Sequence, residues 1–198
     1  MEVAFFFMLF AHNTYFSRNM ERHPTELAEW QSYAHLFRHE EIGAKHVLLR
    51  EGEVAKAAYF IESGSLRAWF NDNGKDITVQ FFLEGESISS VESFRMEQPG
   101  VFTLESLEPT VLRVISRKDF EFILSDCPPI REAVELYTFK RLIFYQRLFL
   151  SRIRNSPQER YNELVRDRPD LLQRVPQHYI ASYLGITPVS LSRIRARK

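Results

Sequence analysis

Residues 177–198 read Gln177-His-Tyr-Ile-Ala-Ser-Tyr-Leu-Gly-Ile-Thr-Pro-Val-Ser-Leu-Ser-Arg-Ile-Arg-Ala-Arg-Lys198, and this spacing fits two short helices around a tight turn. Ala181 is small where the first helix must approach the second, and Gly185 can take the positive φ of the turn at little steric cost. Ile180, Leu184, Ile186, Leu191 and Ile194 are the apolar positions that lock the pair. Thr187 suits an N-cap and Pro188 the first helical position. With Leu191 and Ile194 inward, Val189, Ser190, Arg193, Ala196 and Arg197 face outward. The N-terminal part of such a second helix reaches base edges in the major groove of DNA. Arg193 is placed for a bidentate contact to guanine, worth about 1–3 kcal/mol of discrimination. Ser190 suits a base or a phosphate, and Val189 a thymine methyl. Gln177, His178, Arg195 and Lys198 suit phosphates, which position without specifying. Thr187 and Ser192 complete the DNA-contacting candidates. The bland alternative is a helical hairpin that only finishes the fold.

Charge sets this end apart. The chain has 198 residues and a formal net charge of zero. From Ser151 onward, however, ten basic residues face four acidic ones, leaving the tail at about +6 and the rest at about −6. A basic module joined to an acidic one suits a polyanion, although arginines solvating a surface give the same count. Pro169 and Pro176 fence off the last segment, and Ser156 is placed to cap a helix from Pro157 with Glu159 in its first turn.

Before that break, residues 130–154 form a long helical stretch of roughly 38 Å at about 1.5 Å per residue. Leu136, Phe139, Ile143, Gln146, Leu150 and Ile153 step by three and four, the pattern of a coiled-coil seam with one polar position. Ala133, Tyr137, Phe144 and Leu148 mark a second face. A helix apolar on two sides needs two partners, here a β domain and the same helix of a second subunit. Burial of both faces within one subunit is the alternative.

Upstream, apolar and β-branched runs are short and punctuated by Gly52, Gly64, Gly74, Gly85 and Gly100, the rhythm of an all-β sandwich or barrel. Asn73-Gly74 is the best turn signal, between Leu66–Phe70 and Ile77–Leu83. Leu112, Val114 and Ser116 alternate at the end of this region. Phe60, Trp69, Phe81 and Phe82 read as its apolar interior. Leu27, Trp30, Ala34 and Phe37 predict a helix over 25–41. Phe5 to Phe10 form an apolar run too short to span a bilayer and lacking the basic start of a signal peptide, so it reads as a packed segment or a start extended upstream of Met20. A lone cysteine, Cys127, excludes an internal disulfide and a thiolate-held iron–sulfur cluster, and a reducing cytoplasm is the simplest setting.

The order of parts resembles the Crp/Fnr family of regulators over residues 25–198. The most specific stretches are Tyr59-Phe-Ile-Glu-Ser-Gly-Ser-Leu-Arg67, Phe81-Phe-Leu-Glu-Gly-Glu86, Val175 to Pro188, and Leu191-Ser-Arg-Ile-Arg195. The resemblance implies an α+β chain with four parts: an N-terminal extension (1–24), a cyclic-nucleotide-binding-like β-roll of jelly-roll type (25–127), a dimerisation helix (128–154) and a helix-turn-helix domain (155–198). It puts the family's recognition arginine at Arg193. Because the chain stops at the recognition helix, no C-terminal β wing is expected, and dimerisation matters more for affinity. Members that bind cyclic AMP resemble Gly-Glu followed by an Arg-Ser pair that holds the phosphate. Gly85 and Glu86 match the first part, but the second falls at Gly100 and Val101, with Arg95 the only cation nearby. An anionic phosphate needs a cation or a nest of amide donors, so cyclic AMP is not expected. Gly85, Glu86 and Arg95 remain the effector-site candidates. Val189 stands where many members carry an acidic residue, so the target sequence is expected to differ.

The function that follows is a homodimeric, sequence-specific binder of double-stranded DNA, switched by an unidentified small molecule, and touching RNA polymerase if it activates. It is neither an enzyme nor a membrane protein, and it carries no cofactor or metal. Two rivals compete. A cupin-type metal enzyme would need clustered histidines and carboxylates on the strands, yet His12, His23, His35 and His39 precede them. A ligand-sensing or interaction module with only non-specific DNA affinity would bind in a way that survives Arg193→Ala and vanishes in modest salt.

Overall fold

The structure is a computed structural model and describes residues 28–196. The expected N-terminal extension, the Phe5–Phe10 run, Arg197 and Lys198 lie outside the described residues.

The chain enters as a 3-10 helix, Ala28–Leu36, and not the longer helix expected to Glu41. Trp30, Tyr33 and Leu36 are its inward residues, at the three-residue step that suits 3-10 geometry. Trp30 anchors it, packing edge-on against Phe37 at 5.8 Å and Phe60 at 6.3 Å. Residues assigned by spacing to the end of the helix instead form strand β1, Arg38–Ile42. They pair with β8, from Arg38 opposite Val114 to Ile42 opposite Thr110. Pairing along an open strand edge outweighs local helical spacing here.

The remaining strands are β2 (Val47–Leu49), β3 (Ala57–Ser63), β4 (Leu66–Asp72), β5 (Lys75–Phe82), β6 (Ser87–Ile88), β7 (Thr103–Ser106) and β8 (Thr110–Ser116). They form two antiparallel four-stranded sheets, ordered β1-β8-β3-β6 and β2-β7-β4-β5, as expected for a β-roll. The β4–β5 hairpin turns at Asn73-Gly74, where both residues have positive φ (51° and 85°), the conformation a two-residue hairpin demands. Phe60, Leu66, Phe82, Ile88, Leu104 and Leu112 fill the interior. Phe81 and Trp69 do not join it: strand alternation turns Phe81 outward into a second core, described below.

Helix α1 (Val91–Met96) interrupts the roll, and α2 (Arg117–Asp126) follows β8. The long helix α3 spans Pro128–Arg154 and starts two residues earlier than the spacing suggested, because two prolines occupy its first turn. Ile130, Val134 and Tyr137 bury its first half against the roll. Helix α4 (Pro157–Asp167) opens on a full capping box: the Ser156 hydroxyl accepts from Glu159 N, and the Glu159 carboxylate accepts from Ser156 N at 2.7 Å. Helices α5 (Pro169–Arg174), α6 (Gln177–Tyr183) and α7 (Pro188–Ala196) complete the second core around Leu164, Leu171, Ile180, Leu184 and Leu191.

Candidate nucleic-acid interface and sensor site

The α6–α7 hairpin forms as its residues dictate. Ala181 is wholly buried, and Gly185 turns with φ 68°. The Ile186 amide donates to Ala181 O at 3.0 Å. Thr187 caps α7, its hydroxyl accepting from Ser190 N at 3.1 Å. Ile180, Leu184, Leu191 and Ile194 are buried, while Ile186 is only half-buried. The opposite face of α7 is bare: Val189, Ser192, Arg193 and Arg195 are exposed and Ser190 half-buried. Gln177 and His178 are exposed at the start of α6, with His178 against the Tyr179 ring at 4.0 Å. The candidates that the structure describes are all exposed or half-buried, and none is spent on the core.

The hairpin is fastened to the roll. Strand β5 is a sheet edge, and the Ser182 hydroxyl covers it by accepting from Thr78 N at 2.9 Å and donating to Asp76 O at 2.8 Å. Phe81 packs on Tyr183 at 5.3 Å. Arg67, wholly buried, lies 3.8 Å from the Tyr179 ring centre and 4.8 Å from that of Trp69, and pairs with Asp76 and Glu105 at 3.0 Å each. Arg174 holds Glu84 with two bonds of 2.7 Å, which keeps that carboxyl down at about 2. Of these residues, sequence marked Phe81 and Trp69 only as roll interior, and none as a contact between hairpin and roll. The pairs that join the roll to the C-terminal helices lie about 90 to 112 positions apart, and no local pattern signals such a contact.

The seam residues of α3 lie open in the single chain. Leu136, Phe139 and Ile153 are 54%, 57% and 65% exposed, and Phe149 beside them 65%. Gln146 is exposed, whereas Ile143 and Leu150 are half-buried. Of the second face, Tyr137 is buried and Phe144 and Leu148 half-buried.

The three effector candidates find different partners. Gly85 makes the turn before Glu86, with φ 78°. Glu86 is wholly buried, accepts from Leu83 N at 2.7 Å and stands 3.5 Å from the Arg168 guanidinium. Burial outweighs Arg168 and pushes its carboxyl up to about 8. Arg95 turns to Glu121 at 4.0 Å and lines a groove of about 410 Å³ between α2 and α3. Glu86 is closed off and engaged, and Gly100 is tied to Glu53 by a 2.8 Å backbone bond in a loop that offers no cation. No group of three or more metal-ligating side chains occurs among the described residues, nor any helix long and apolar enough to cross a membrane.

Residues 39–127 match the family model of the cyclic nucleotide-binding domain. No curated protein sequence matches the chain. Among solved structures, FixK2 from Bradyrhizobium japonicum is similar with a TM-score of 0.69 and 17% identity, covering 81% of this chain and 83% of that one. The c-di-GMP responsive global regulator CLP of Xanthomonas campestris follows with 0.66 and 17%, covering 85% and 89%. A CooA mutant from Carboxydothermus hydrogenoformans gives 0.64 and 18%, covering 96% and 85%. Residues 39–127 thus resemble a cyclic nucleotide-binding domain, and the chain as a whole has the fold shared by the Crp/Fnr regulators.

Proposed function

We propose that this chain is a sequence-reading DNA-binding transcription regulator that works as a homodimer. The observation that carries the reading is the bare outer face of α7. Val189, Ser192, Arg193 and Arg195 point to solvent while Leu191 and Ile194 close the inner face. Arg193 and Arg195 make no ion pair among the described residues, so their donors are free for bases and phosphates. Arg193 reads guanine, Val189 a thymine methyl and Ser190 a base or phosphate, while Gln177, His178, Thr187, Ser192 and Arg195 hold the backbone. The open seam of α3 supports the second subunit, which sets two recognition helices about 34 Å apart on a palindrome. The β-roll serves as sensor, biasing the helix pair through a small molecule other than cyclic AMP. An activator of this build also touches RNA polymerase.

Selection from a random DNA pool near physiological salt tests the reading. Wild type should enrich a two-fold symmetric site, and Arg193→Ala should weaken it by about 1–3 kcal/mol and relax one base position per half-site. Binding that ignores Arg193→Ala and simply fades with salt rejects sequence reading.

A further inference from the structure

Five arginines converge where α3 meets the helix-turn-helix domain. A cleft of about 220 Å³ opens between the second half of α3, α4 and the end of α6, and Arg147, Arg152, Arg160, Arg166 and Arg168 line it against only two acids, Glu163 and Asp167. Both acids are already engaged. Glu163 accepts from the Ser151 hydroxyl at 2.6 Å and the Asn155 amide at 2.5 Å, and Asp167 takes Arg166 at 2.7 and 2.9 Å. Arg152 and Arg160, by contrast, bond to carbonyls. Arg152 donates to Tyr183 O, and Arg160 donates to Leu184 O at 3.0 Å and Asn155 O at 2.7 Å. Carbonyls satisfy donors but do not neutralise charge. Burial works most strongly against a charged Arg152; Tyr183 favours the charge, and Arg160 alongside opposes it. A second, independent observation lies on the same wall. One terminal nitrogen of Arg168 is buried with no hydrogen bond and only a 3.5 Å ion pair to Glu86 Oε1, while its Nε stands 3.5 Å from Asp170. The cleft therefore has cationic charge in excess, and one of its arginines keeps an unfilled donor.

We propose that this cleft binds a small phosphorylated metabolite, its phosphate held by Arg152, Arg160 and Arg168 and its carbon part lying against Phe144, Leu148 and Leu184. Planar guanidinium forks match phosphate oxygens in pairs, and a half-buried setting strengthens them. The volume lies below the roughly 300–1,000 Å³ of sites for drug-sized ligands, which favours a short phosphate monoester over a dinucleotide. No lining residue comes from α7, so an occupied cleft leaves the recognition face free. A ligand here joins the last turns of α3 to α4 and to the hairpin, the link through which the seam and the recognition helices communicate. Anion binding stands without the DNA reading; its regulatory consequence rests on that reading.

Calorimetric titration of the full chain tests it, at fixed ionic strength and without DNA, using inorganic phosphate and glycerol phosphate as probes and chloride as control. Saturable binding of one probe per chain is expected, weakened about tenfold or more by Arg152→Gln, as the loss of one charge-assisted fork implies. Arg147→Glu, an exposed rim change, should weaken it severalfold, and Arg95→Gln in the other groove should leave it unchanged. Absence of saturable binding, or variants that bind like wild type, overturns the proposal. So does a wild type blind to both probes whose Arg152→Gln variant loses about one unit of salt slope in DNA binding, since the cleft then takes a DNA phosphate. Because the titration contains no DNA, failure of sequence reading leaves its outcome intact.

Discussion

Glu86 is a residue whose sequence neighbourhood suggested one role and whose burial sets another. Its Gly-Glu context resembles an effector contact, yet its carboxyl is closed inside the protein and raised to about 8 by burial. The unfolded chain releases that proton near the ordinary carboxylate value, while the folded chain keeps it. The stabilising contribution is therefore complete below about pH 4.5 and is lost as pH rises toward 8. Thermal melts from pH 5 to 9 should show wild type losing stability across this window and Glu86→Gln losing less, so that the variant gains on wild type at high pH. Parallel pH profiles for the two proteins count against a neutral buried Glu86. Arg67 poses the opposite problem. It is a buried cation whose partner Glu105 is buried as well. Arg67→Ala strands that carboxylate and should cost about 3–5 kcal/mol in urea denaturation, and Arg67→Ala with Glu105→Gln should recover part of the loss.

At the scale of elements, the long helix carries two different surfaces. Tyr137, Val134 and Ile130 bury one against the roll, and the seam leaves Leu136, Phe139 and Ile153 more than half exposed. Phe139→Glu puts a charge into the proposed subunit contact without touching the roll core. Sedimentation should then find monomer at micromolar concentration where wild type is dimeric, with the melting temperature of the monomer little changed. The cap of α4 is a separate local device. Ser156→Ala removes the acceptor of Glu159 N and should cost about 1 kcal/mol of stability, read by chemical denaturation. The 3-10 helix shows the limit of such local reasoning. Apolar spacing in Leu27, Trp30, Ala34 and Phe37 favours a helix through Glu41, but β8 offers a strand edge to Arg38–Ile42, and hydrogen bonding there wins.

For the whole molecule, the decisive feature is that roll and hairpin are joined by side chains far apart in sequence. Ser182 on the β5 edge, Tyr183 on Phe81, Arg67 on Tyr179 and Arg174 on Glu84 make one continuous contact. The roll thus touches α6 directly, as well as being joined to it through α3. Ser182→Ala removes the cover of the Thr78 amide, so hydrogen exchange at Thr78 should quicken more than at the β3–β8 pairing. Equal acceleration everywhere points instead to global destabilisation.

The parts and their order were legible along the chain: a glycine-punctuated β-roll, a long two-faced helix, a capped α4 and a helix-turn-helix with Thr187 at its cap and Arg193 outward. These rest on periodicity, caps and turns, which act over a few residues. Packing in three dimensions makes 38–42 a strand, takes Phe81 from the roll core to the hairpin, seals Glu86 against Arg168, and brings Arg152 and Arg160 into one cleft. Each of those depends on which distant backbone edge or side chain occupies the neighbouring space, and no spacing along the chain encodes that.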